Sequence, residues 1–391
     1  MTDHDMASSR LVDAYLGMPA DQAIGRVLER ARRYVEVETP SGDADAIRIL
    51  GERVRSDLQS CGADVDTHEA PSLGVNLVAR MPGPDAALPP IVVLAHMDTV
   101  HPAGTLALRP FRVEDGRAYG PGVYDMKTGI ALVVEALAWL RDRGEPRQRR
   151  SVTVLVTCDE EIGSHSARAL IEEHARGAAV VLVPEPCLPD GGIKTARKGV
   201  ATYRMETTGR AAHAGLEGEF AVSAITELIH ALAAARKLAD HSRGTTINIG
   251  RIGGGTASNV IAEQAWAELD VRIAEPAEGE RVHAGLAALR PRLEDAQLRV
   301  SRVENRPPLV RTPAVASAFE LARGIAADLG ATISEGMSGG GSDGSFANAV
   351  GAATLDGIGA QGGGAHAVDE HIVLSDLPFR LALMARLLQT L

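Results

Sequence analysis

Apolar and polar positions alternate between two patterns along the first two hundred residues. Apolar residues spaced three and four positions apart predict amphipathic helices at 10–37, 44–61, 129–143 and 166–175. Strands are predicted at 76–80, 91–95, 152–158 and 178–184. The last two are continuous apolar runs, which are typical of parallel strands buried on both faces. Because strands and helices alternate, we expect an open α/β sheet covered on both faces.

The pattern changes near residue 199, where apolar and polar residues begin to alternate singly. From there the predicted order is strand, helix, strand, strand, helix, strand, with the helices at 220–239 and 277–292. That order is the split β-α-β-β-α-β unit of a ferredoxin-like domain. The first pattern resumes afterwards. We therefore expect a small domain, residues 199–309, inserted into a larger domain built from residues 1–198 and 310–391.

Composition narrows the possible partners. The chain has 391 residues, enough for two or three domains, and an acidic balance of 51 Asp and Glu against 40 Lys and Arg. With a formal net charge of −11 and no basic block, nucleic acid and anionic membranes are poor partners. The three cysteines are far apart and predict neither a disulfide framework nor a metal site. No long apolar run or signal-peptide pattern occurs, so we expect a cytoplasmic protein.

Two candidate ligands follow the ends of predicted strands, where open α/β sheets bind their ligands. His96 comes directly after the strand IVVLA, and strand periodicity puts Asp98 on the same side. Asp98 could therefore orient the ring of His96 for a metal ion, although a chance histidine is the plainer interpretation. Glu185 stands between two prolines after the strand at 178–184, where an exposed glutamate is the simpler alternative.

Three consecutive acids, Asp159, Glu160 and Glu161, follow another buried strand. Such a run is costly unless a positive charge lies nearby, and a divalent cation could supply that charge. Adjacent carboxylates can then divide the work, with Glu161 binding the metal and Glu160 accepting a proton from water. A solvated acidic loop is the alternative.

Two further residues complete a possible metal site. Asp125 lies in GPGVYDMK at the start of a predicted helix, where capping the helix is the commoner role. His366 lies in GGGAHA, and a lone histidine is more often an ordinary surface or core residue. Taken together, the five places supply two histidines and three carboxylates, with Glu160 in reserve as a base. This set suits two zinc ions bridged by a carboxylate, with water as the nucleophile.

These motifs together resemble the aminoacylase/carboxypeptidase-G family of zinc metallopeptidases. The resemblance extends from TPSGD at 39–43 to the end of the chain. It is carried by LAHMDTV, GPGVYDMKTG, TCDEEIGS, GRAAHAG, ASNVI and SGGGSDG, which occur in the family's order and spacing. The resemblance implies a catalytic α/β domain that carries an inserted ferredoxin-like lid and forms a homodimer through that lid.

The resemblance also implies roles for the metal-site residues. One zinc would be held by His96, Asp125 and Glu185, and the other by Asp125, Glu161 and His366, with Asp125 bridging. Glu160 would be the general base and Asp98 the orienter of His96. The peptide bond after Asp125 is often cis in the family. Two Zn²⁺ ions per subunit are expected, and Co²⁺ or Mn²⁺ could replace them at nitrogen and oxygen ligands.

Substrate-binding residues are implied in the second half of the chain. His213 resembles a residue that reaches the partner subunit's active site and stabilises the oxyanion. Asn259 and Arg272 resemble lid residues that meet the substrate, and a guanidinium suits a carboxylate. The backbone N–H groups of Gly339, Gly340 and Gly341 resemble those that line the substrate carboxylate site. A turn histidine and a surface ion pair are the plainer interpretations of His213 and Arg272.

Within the family, Glu185 resembles the glutamate of carboxypeptidases and deacylases. The stretch from VPEPC at 183–187 to TARKGVATYRMETTGRAAHAG at 195–215 most resembles the glutamate carboxypeptidase branch. Met337 stands where that branch has an arginine for the glutamate side chain, which leaves the preferred residue open. The expected reaction is hydrolysis of an N-acyl amino acid or short peptide with a free carboxylate. Alternatives are an N-acyl amino acid deacylase, including the acetylornithine and succinyl-diaminopimelate types, and a dipeptidase. A nucleotide-binding protein and a catalytically dead dimeric scaffold are more distant alternatives. The glycine-rich SGGGSDG lacks the Lys-Ser/Thr end of a P-loop, which argues against nucleotide binding.

Overall fold

The structure is a computed structural model that describes residues 3–143, 150–216 and 221–391. The chain forms two compact units. The larger unit runs to Ala196 and continues over Arg311–Ser338 and Ser342–Leu391, and the smaller unit comprises Arg197–Val310 and Gly339–Gly341. The three glycines were expected in the larger domain. Their place in the smaller unit is explained by the contacts of the loop with two arginines of that unit, described below.

The secondary-structure elements are numbered here in chain order. The helices are α1 (Asp3–Leu16), α2 (Ala20–Val35), α3 (Ala44–Ser60), α4 (Thr105–Leu108), α5 (Thr128–Asp142), α6 (Arg168–Ala175), α7 (Ala224–Arg236), α8 (Pro276–Ala287), α9 (Pro313–Asp328), α10 (Gly344–Ala349) and α11 (Leu377–Thr390). The strands are β1 (Asp64–Ala70), β2 (Gly74–Met81), β3 (Ile91–His96), β4 (Arg112–Glu114), β5 (Arg117–Tyr119), β6 (Val152–Thr157), β7 (Val180–Val183), β8 (Ile193–Arg197), β9 (Gly199–Thr208), β10 (Ala212–His213), β11 (Thr246–Gly254), β12 (Val260–Ile261), β13 (Gln264–Ile273), β14 (Gln297–Arg306), β15 (Glu335–Ser338), β16 (Thr354–Asp356), β17 (Gly362–Gly363) and β18 (His371–Val373).

The main sheet of the larger unit has the strand order β1-β2-β6-β3-β7-β16-β8-β15. Its middle strands β6, β3, β7 and β16 are parallel to one another. Strands β3 and β6 are buried along their whole length, which explains their continuous apolar sequences. Because these strands run in the same direction, the residues that follow them meet at one edge of the sheet.

Helices cover the sheet of the larger unit, and α5 is buried over nearly its whole surface. Its sequence is accordingly apolar all round, as expected of a helix inside a domain. The single helix predicted over 10–37 is wrong, since the structure has two helices, α1 and α2, in its place. Gly17 ends the first with a positive φ of 66°, and Pro19 precedes the second. A glycine in this conformation terminates a helix at little cost.

The smaller unit contains an antiparallel sheet with the strand order β11-β13-β9-β14. The buried apolar residues of helices α7 and α8 form one hydrophobic core together with those of this sheet. Strand β13 alternates strictly between buried and partly exposed residues, because only one of its faces meets the helices. Apart from the short pair β10 and β12, the element order β9-α7-β11-β13-α8-β14 is the expected β-α-β-β-α-β. Residue 220 of the predicted helix 220–239 lies outside the described residues, and α7 begins at Ala224.

Among the described residues, every helix is too short or too polar to cross a membrane.

Candidate metal centre

Three strands of the larger unit deliver acidic residues and a histidine to the same edge of the sheet. His96 is the last residue of β3, Glu160 and Glu161 follow β6, and Glu185 follows β7. Asp125 arrives on the turn before α5, where the Asp125–Met126 peptide bond is cis. His96, Glu160 and Glu185 are buried.

The Asp125 carboxylate lies between two groups of side chains. One of its oxygens, Oδ1, is 3.2 Å from Nε2 of His96, and the same nitrogen is 3.4 Å from Glu185 Oε1. The other oxygen, Oδ2, is 3.3 Å from Nε2 of His366, which is also 3.3 Å from Glu161 Oε2. Each half therefore contains one histidine and one further carboxylate, and Asp125 belongs to both.

The donor set fits divalent cations. One ligand atom each from His96, Asp125 and Glu161 lie within 4.8 Å of one another. Oε1 of Glu161 is buried and has no hydrogen-bond partner among the described residues. An orphaned buried carboxylate oxygen is costly unless a cation satisfies it. Imidazole nitrogen and carboxylate oxygen are ligands that zinc accepts, and zinc sites commonly combine them.

Close packing of acids and imidazoles changes the pKa values at this centre. Burial raises the pKa of Glu161 to about 7, against the opposing effect of His366. Hydrogen bonds to the carboxylates of Asp125 and Glu161 raise the pKa of His366 to about 10. Burial would lower the pKa of His96, but its contacts with Asp125, Asp98 and Glu185 outweigh burial and raise it. The raised pKa values share one cause, the concentration of carboxylates, which favours positive charge at this place.

Asp98 is fully buried and connects His96 to the acidic turn. Its Oδ1 lies 3.4 Å from Nδ1 of the His96 ring, the nitrogen that faces away from Asp125. Its two oxygens also accept the backbone N–H groups of Glu160 at 3.1 Å and of Glu161 at 3.2 Å. The Ser41 hydroxyl donates to Asp98 as well, at 2.7 Å. Asp98 therefore contacts both the ring of His96 and the turn that carries the two glutamates.

Residues that the sequence interpretation did not single out support the same turn. The side chain of Asn76 on β2 accepts the N–H of Cys158 at 3.0 Å and donates to Ser166 at 3.1 Å. Asp343, the aspartate of SGGGSDG, accepts the hydroxyl groups of Thr157, at 2.9 Å, and Ser164. Asp343 lies within a motif that the sequence marks by its glycines. No sequence signal pointed to Asn76.

Several predicted substrate-binding residues lie in the smaller unit. Arg272 forms two 2.8 Å hydrogen bonds with the carboxylate of Asp270 and a longer one, at 3.4 Å, with the carbonyl of Gly339. Arg197, which the sequence interpretation missed, donates to the carbonyls of Gly340 and Gly341. These two arginines hold the glycine loop through hydrogen bonds to its carbonyl groups.

His213 and Asn259 lie next to each other in the smaller unit, and both are exposed. The Asn259 carbonyl accepts the N–H of Ala214, and β10 pairs with β12 through His213 and Val260. Neither belongs to the group of ligand atoms found among the described residues, which lies in the larger unit.

Comparison with known proteins decides the family. A model of peptidase family M20/M25/M40 matches residues 92–390. The chain belongs to this family. Carboxypeptidase G2 of Pseudomonas sp. (strain RS-16) is 31% identical over 375 residues, which cover 93% of this chain and 89% of that protein. Succinyl-diaminopimelate desuccinylase of Methylorubrum populi is also 31% identical, over 89% of this chain and 93% of that one.

Solved structures show the same fold. Aminopeptidase PepT of Bacillus cereus has a TM-score of 0.77 at 23% identity and covers 94% of this chain and 98% of its own. A metallo-carboxypeptidase of Sulfolobus solfataricus has a TM-score of 0.71 at 16% identity, with coverages of 93% and 98%. The predicted α/β fold and family resemblance are confirmed. This M20/M25/M40 protein is therefore a metal-dependent hydrolase of carbon–nitrogen amide bonds.

Proposed function

We propose that this protein is a di-zinc hydrolase of N-acyl amino acids or short peptides with a free carboxylate. The observation that carries the proposal is the position of Asp125 between the pairs His96 with Glu185 and His366 with Glu161. A single carboxylate with one oxygen towards each pair is the arrangement expected of a bridging ligand between two ions. Bound zinc supplies Lewis acidity, which polarises a carbonyl group and lowers the pKa of water.

Glu160 is the general base in this proposal. It is buried beside the ligand Glu161, and its backbone N–H is fixed by Asp98 at 3.1 Å. Its carboxylate takes a proton from the attacking water and passes it to the leaving amine, so that the amine departs neutral. Glu161 is not assigned this role, because its Oε2 lies 3.3 Å from Nε2 of His366 and its buried Oε1 is assigned to the metal ion.

The substrate's free carboxylate is assigned to Arg272 and to the N–H groups of the loop Gly339–Gly341. The contact of Arg272 with Gly339 brings two parts of this predicted site together within the smaller unit. Arg272 is also paired with Asp270. A substrate carboxylate therefore has to share the guanidinium group with Asp270 or displace it. His213 is assigned to the oxyanion across a homodimer formed by the inserted domain, and Asn259 to contact with the substrate.

These assignments leave open which amino acid the enzyme releases. The name of carboxypeptidase G2 fits release of a C-terminal residue, and the name of the desuccinylase fits removal of a succinyl group from diaminopimelate. Met337 takes the place of the arginine that the glutamate carboxypeptidase branch has for the glutamate side chain. Its own side chain is half exposed. The nearby Arg311 is already engaged by Glu335 through two 2.7 Å hydrogen bonds. The second candidate function is therefore a deacylase that acts on N-acyl derivatives of amino acids other than glutamate.

The proposal is tested by amine release from one acyl group joined to glutamate, leucine, arginine or glycine. Each substrate is assayed with zinc and after dialysis against a chelator. Cleavage that needs zinc and favours glutamate supports the carboxypeptidase function, and cleavage that favours another residue supports the deacylase. Absence of zinc-dependent cleavage across a panel that also varies the acyl group would refute the proposal.

The role of Glu160 has its own test. Glu160→Gln is expected to retain zinc and to lose at least about 100-fold in kcat, since a general base typically contributes that much or more. Glu173→Gln, which changes an exposed glutamate of α6, is the matched control and should leave kcat unchanged. Near-normal turnover of Glu160→Gln with its zinc intact would show that another group accepts the proton.

A further inference from the structure

Glu370 lies at the point where two ligand-bearing segments of the larger unit meet. Strand β18 begins at the next residue and pairs antiparallel with β5, with His371 opposite Tyr119. This pairing brings Glu370 next to Gly120, whose N–H points to the Glu370 carbonyl at 3.4 Å. The side chain of Glu370 is buried and faces the turn that carries Asp125.

The Glu370 carboxylate accepts four hydrogen bonds. Its Oε1 takes the backbone N–H groups of Tyr124 at 2.9 Å and of Asp125 at 3.0 Å. Its Oε2 takes the N–H of Gly122 at 2.9 Å and is 2.6 Å from Nε2 of His101. Three of the four donors belong to the turn 122–125, and one of them is the main chain of Asp125 itself. Hydrogen bonds to an ionised carboxylate are roughly twice as strong as neutral ones.

The same residue is fixed to the other half of the metal centre through its own loop. His366 is four residues before Glu370 and has a positive φ of 65°. A Cβ at Gly364 would lie 2.9 Å from the backbone nitrogen of Glu370, so this loop is tightly folded on itself. The Ala367 N–H closes it by donating to the Gly364 carbonyl at 2.8 Å. A movement of Glu370 would therefore be transmitted both to Asp125 and to the loop of His366.

We propose that Glu370 is a positioning residue that sets the distance between Asp125 and His366, and with it the affinity of the centre for metal. The inference rests on the proposed metal centre. Glu370 itself is not a ligand, since both of its oxygens are used by the turn and by His101. Its effect is exerted through the main chain of Asp125, which must stay in place for the carboxylate to face both histidines.

Glu370→Gln is the sharpest test, because it keeps the shape of the side chain. An amide has one acceptor oxygen and one donor group, so it cannot accept on both sides. At least one backbone N–H of the turn 122–125 then loses its acceptor. The apparent zinc affinity, measured by competition with a chromophoric chelator, is expected to fall about 10- to 100-fold, as for other residues that orient metal ligands. Turnover should recover at saturating zinc, whereas that of Glu160→Gln should not.

Glu38→Gln is the matched control. Glu38 accepts the backbone N–H groups of Gly104 at 2.8 Å and of Leu106 at 2.7 Å, in a loop that carries no predicted ligand. It should lose stability in denaturant without losing zinc affinity. If Glu370→Gln does not fold, Glu370→Asp replaces it, because the shorter carboxylate keeps its charge but cannot reach all four donors. That variant should show an intermediate affinity.

The outcomes separate the two proposals. Wild-type zinc affinity in a folded Glu370 variant, beside a wild type that binds zinc, overturns the positioning role and leaves the metal centre intact. A wild type that binds no zinc overturns the proposed function and the positioning role together. Reduced affinity in the Glu370 variant alone, with Glu38→Gln unchanged, supports both.

Discussion

Gly129, in the first turn of α5, approaches the segment that carries Glu185 so closely that no side chain fits. A Cβ built at this position would lie 2.1 Å from the Pro184 carbonyl oxygen and 3.1 Å from its carbonyl carbon. Gly359 approaches the same carbonyl from another direction, at 2.2 Å by the same measure. The backbone before Glu185 is thus held between two glycines. Gly129→Ala is expected to push the helix and this segment apart.

The size of the effect follows from these distances. The added methyl group and the Pro184 oxygen would have to separate by about 0.9 Å to reach 3.0 Å, below which real Cβ contacts are essentially never found. Overpacking of this kind costs about 1–3 kcal/mol, because the groups that must move are backbone and cannot rotate away. We expect the free energy of unfolding, measured in urea on the metal-free protein, to fall by that amount. Zinc affinity should fall as well, since Glu185 is displaced.

Gly25→Ala provides the matched control. Gly25 is an exposed residue in the middle of α2, and a Cβ there would meet nothing within 4 Å. Alanine is better than glycine inside a helix by about 0.5–1 kcal/mol, so this variant should be more stable than the wild type. The two variants should therefore differ by about 1.5–4 kcal/mol. Equal stability of the two proteins would refute the close approach at Pro184.

Two further predictions concern groups outside the metal centre. Tyr34→Phe should lower the free energy of unfolding by about 1–3 kcal/mol, because the buried hydroxyl donates to Asp57 at 2.7 Å; an unchanged urea midpoint would contradict this. In the smaller unit, hydrogen bonds from Arg281 and its neighbours lower the pKa of Glu278 to about 2. Its stabilising effect is present above the unfolded pKa of about 4.3 and is lost as the pH falls towards 2. The stability difference between wild type and Glu278→Gln, from urea midpoints at successive pH values, should therefore shrink below about pH 4.5, and a constant difference would contradict the lowered pKa.

The central part of the fold could be predicted because its strands are buried on both faces. The apolar runs at 91–95, 152–158 and 178–184 correspond to β3, β6 and β7, and their ends carry His96 and the acidic residues. Strand β1 shows the limit of this reasoning. Its sequence DVDTHEA is mostly exposed and has little apolar pattern, and it is a strand because it pairs with β2 along its whole length. Pairing with a neighbour is a tertiary effect that a local pattern does not contain.

The two helices that replace the predicted helix 10–37 have a similar explanation. The apolar spacing continues through Gly17 and Met18, so periodicity alone favours an unbroken helix. The break depends on the conformations of Gly17 and Pro19, and the larger unit buries Val12 and Val27 on either side of it. Glycine and proline together were the available signal, and their joint effect outweighs the apolar repeat.

The predicted ligands and the residues that hold them differ in how well a sequence shows them. Metal binding requires particular side chains, so His96, Asp125 and His366 were recognisable by type and place. Glu370 instead accepts backbone N–H groups from residues about 245 positions earlier, and backbone donors are the same for almost every residue type. The amino-acid sequence of the turn 122–125 therefore contains no signal that requires a glutamate at position 370. On the positioning role proposed for Glu370, a chain that keeps every predicted ligand would therefore bind zinc more weakly after one change at a residue that is not itself a ligand.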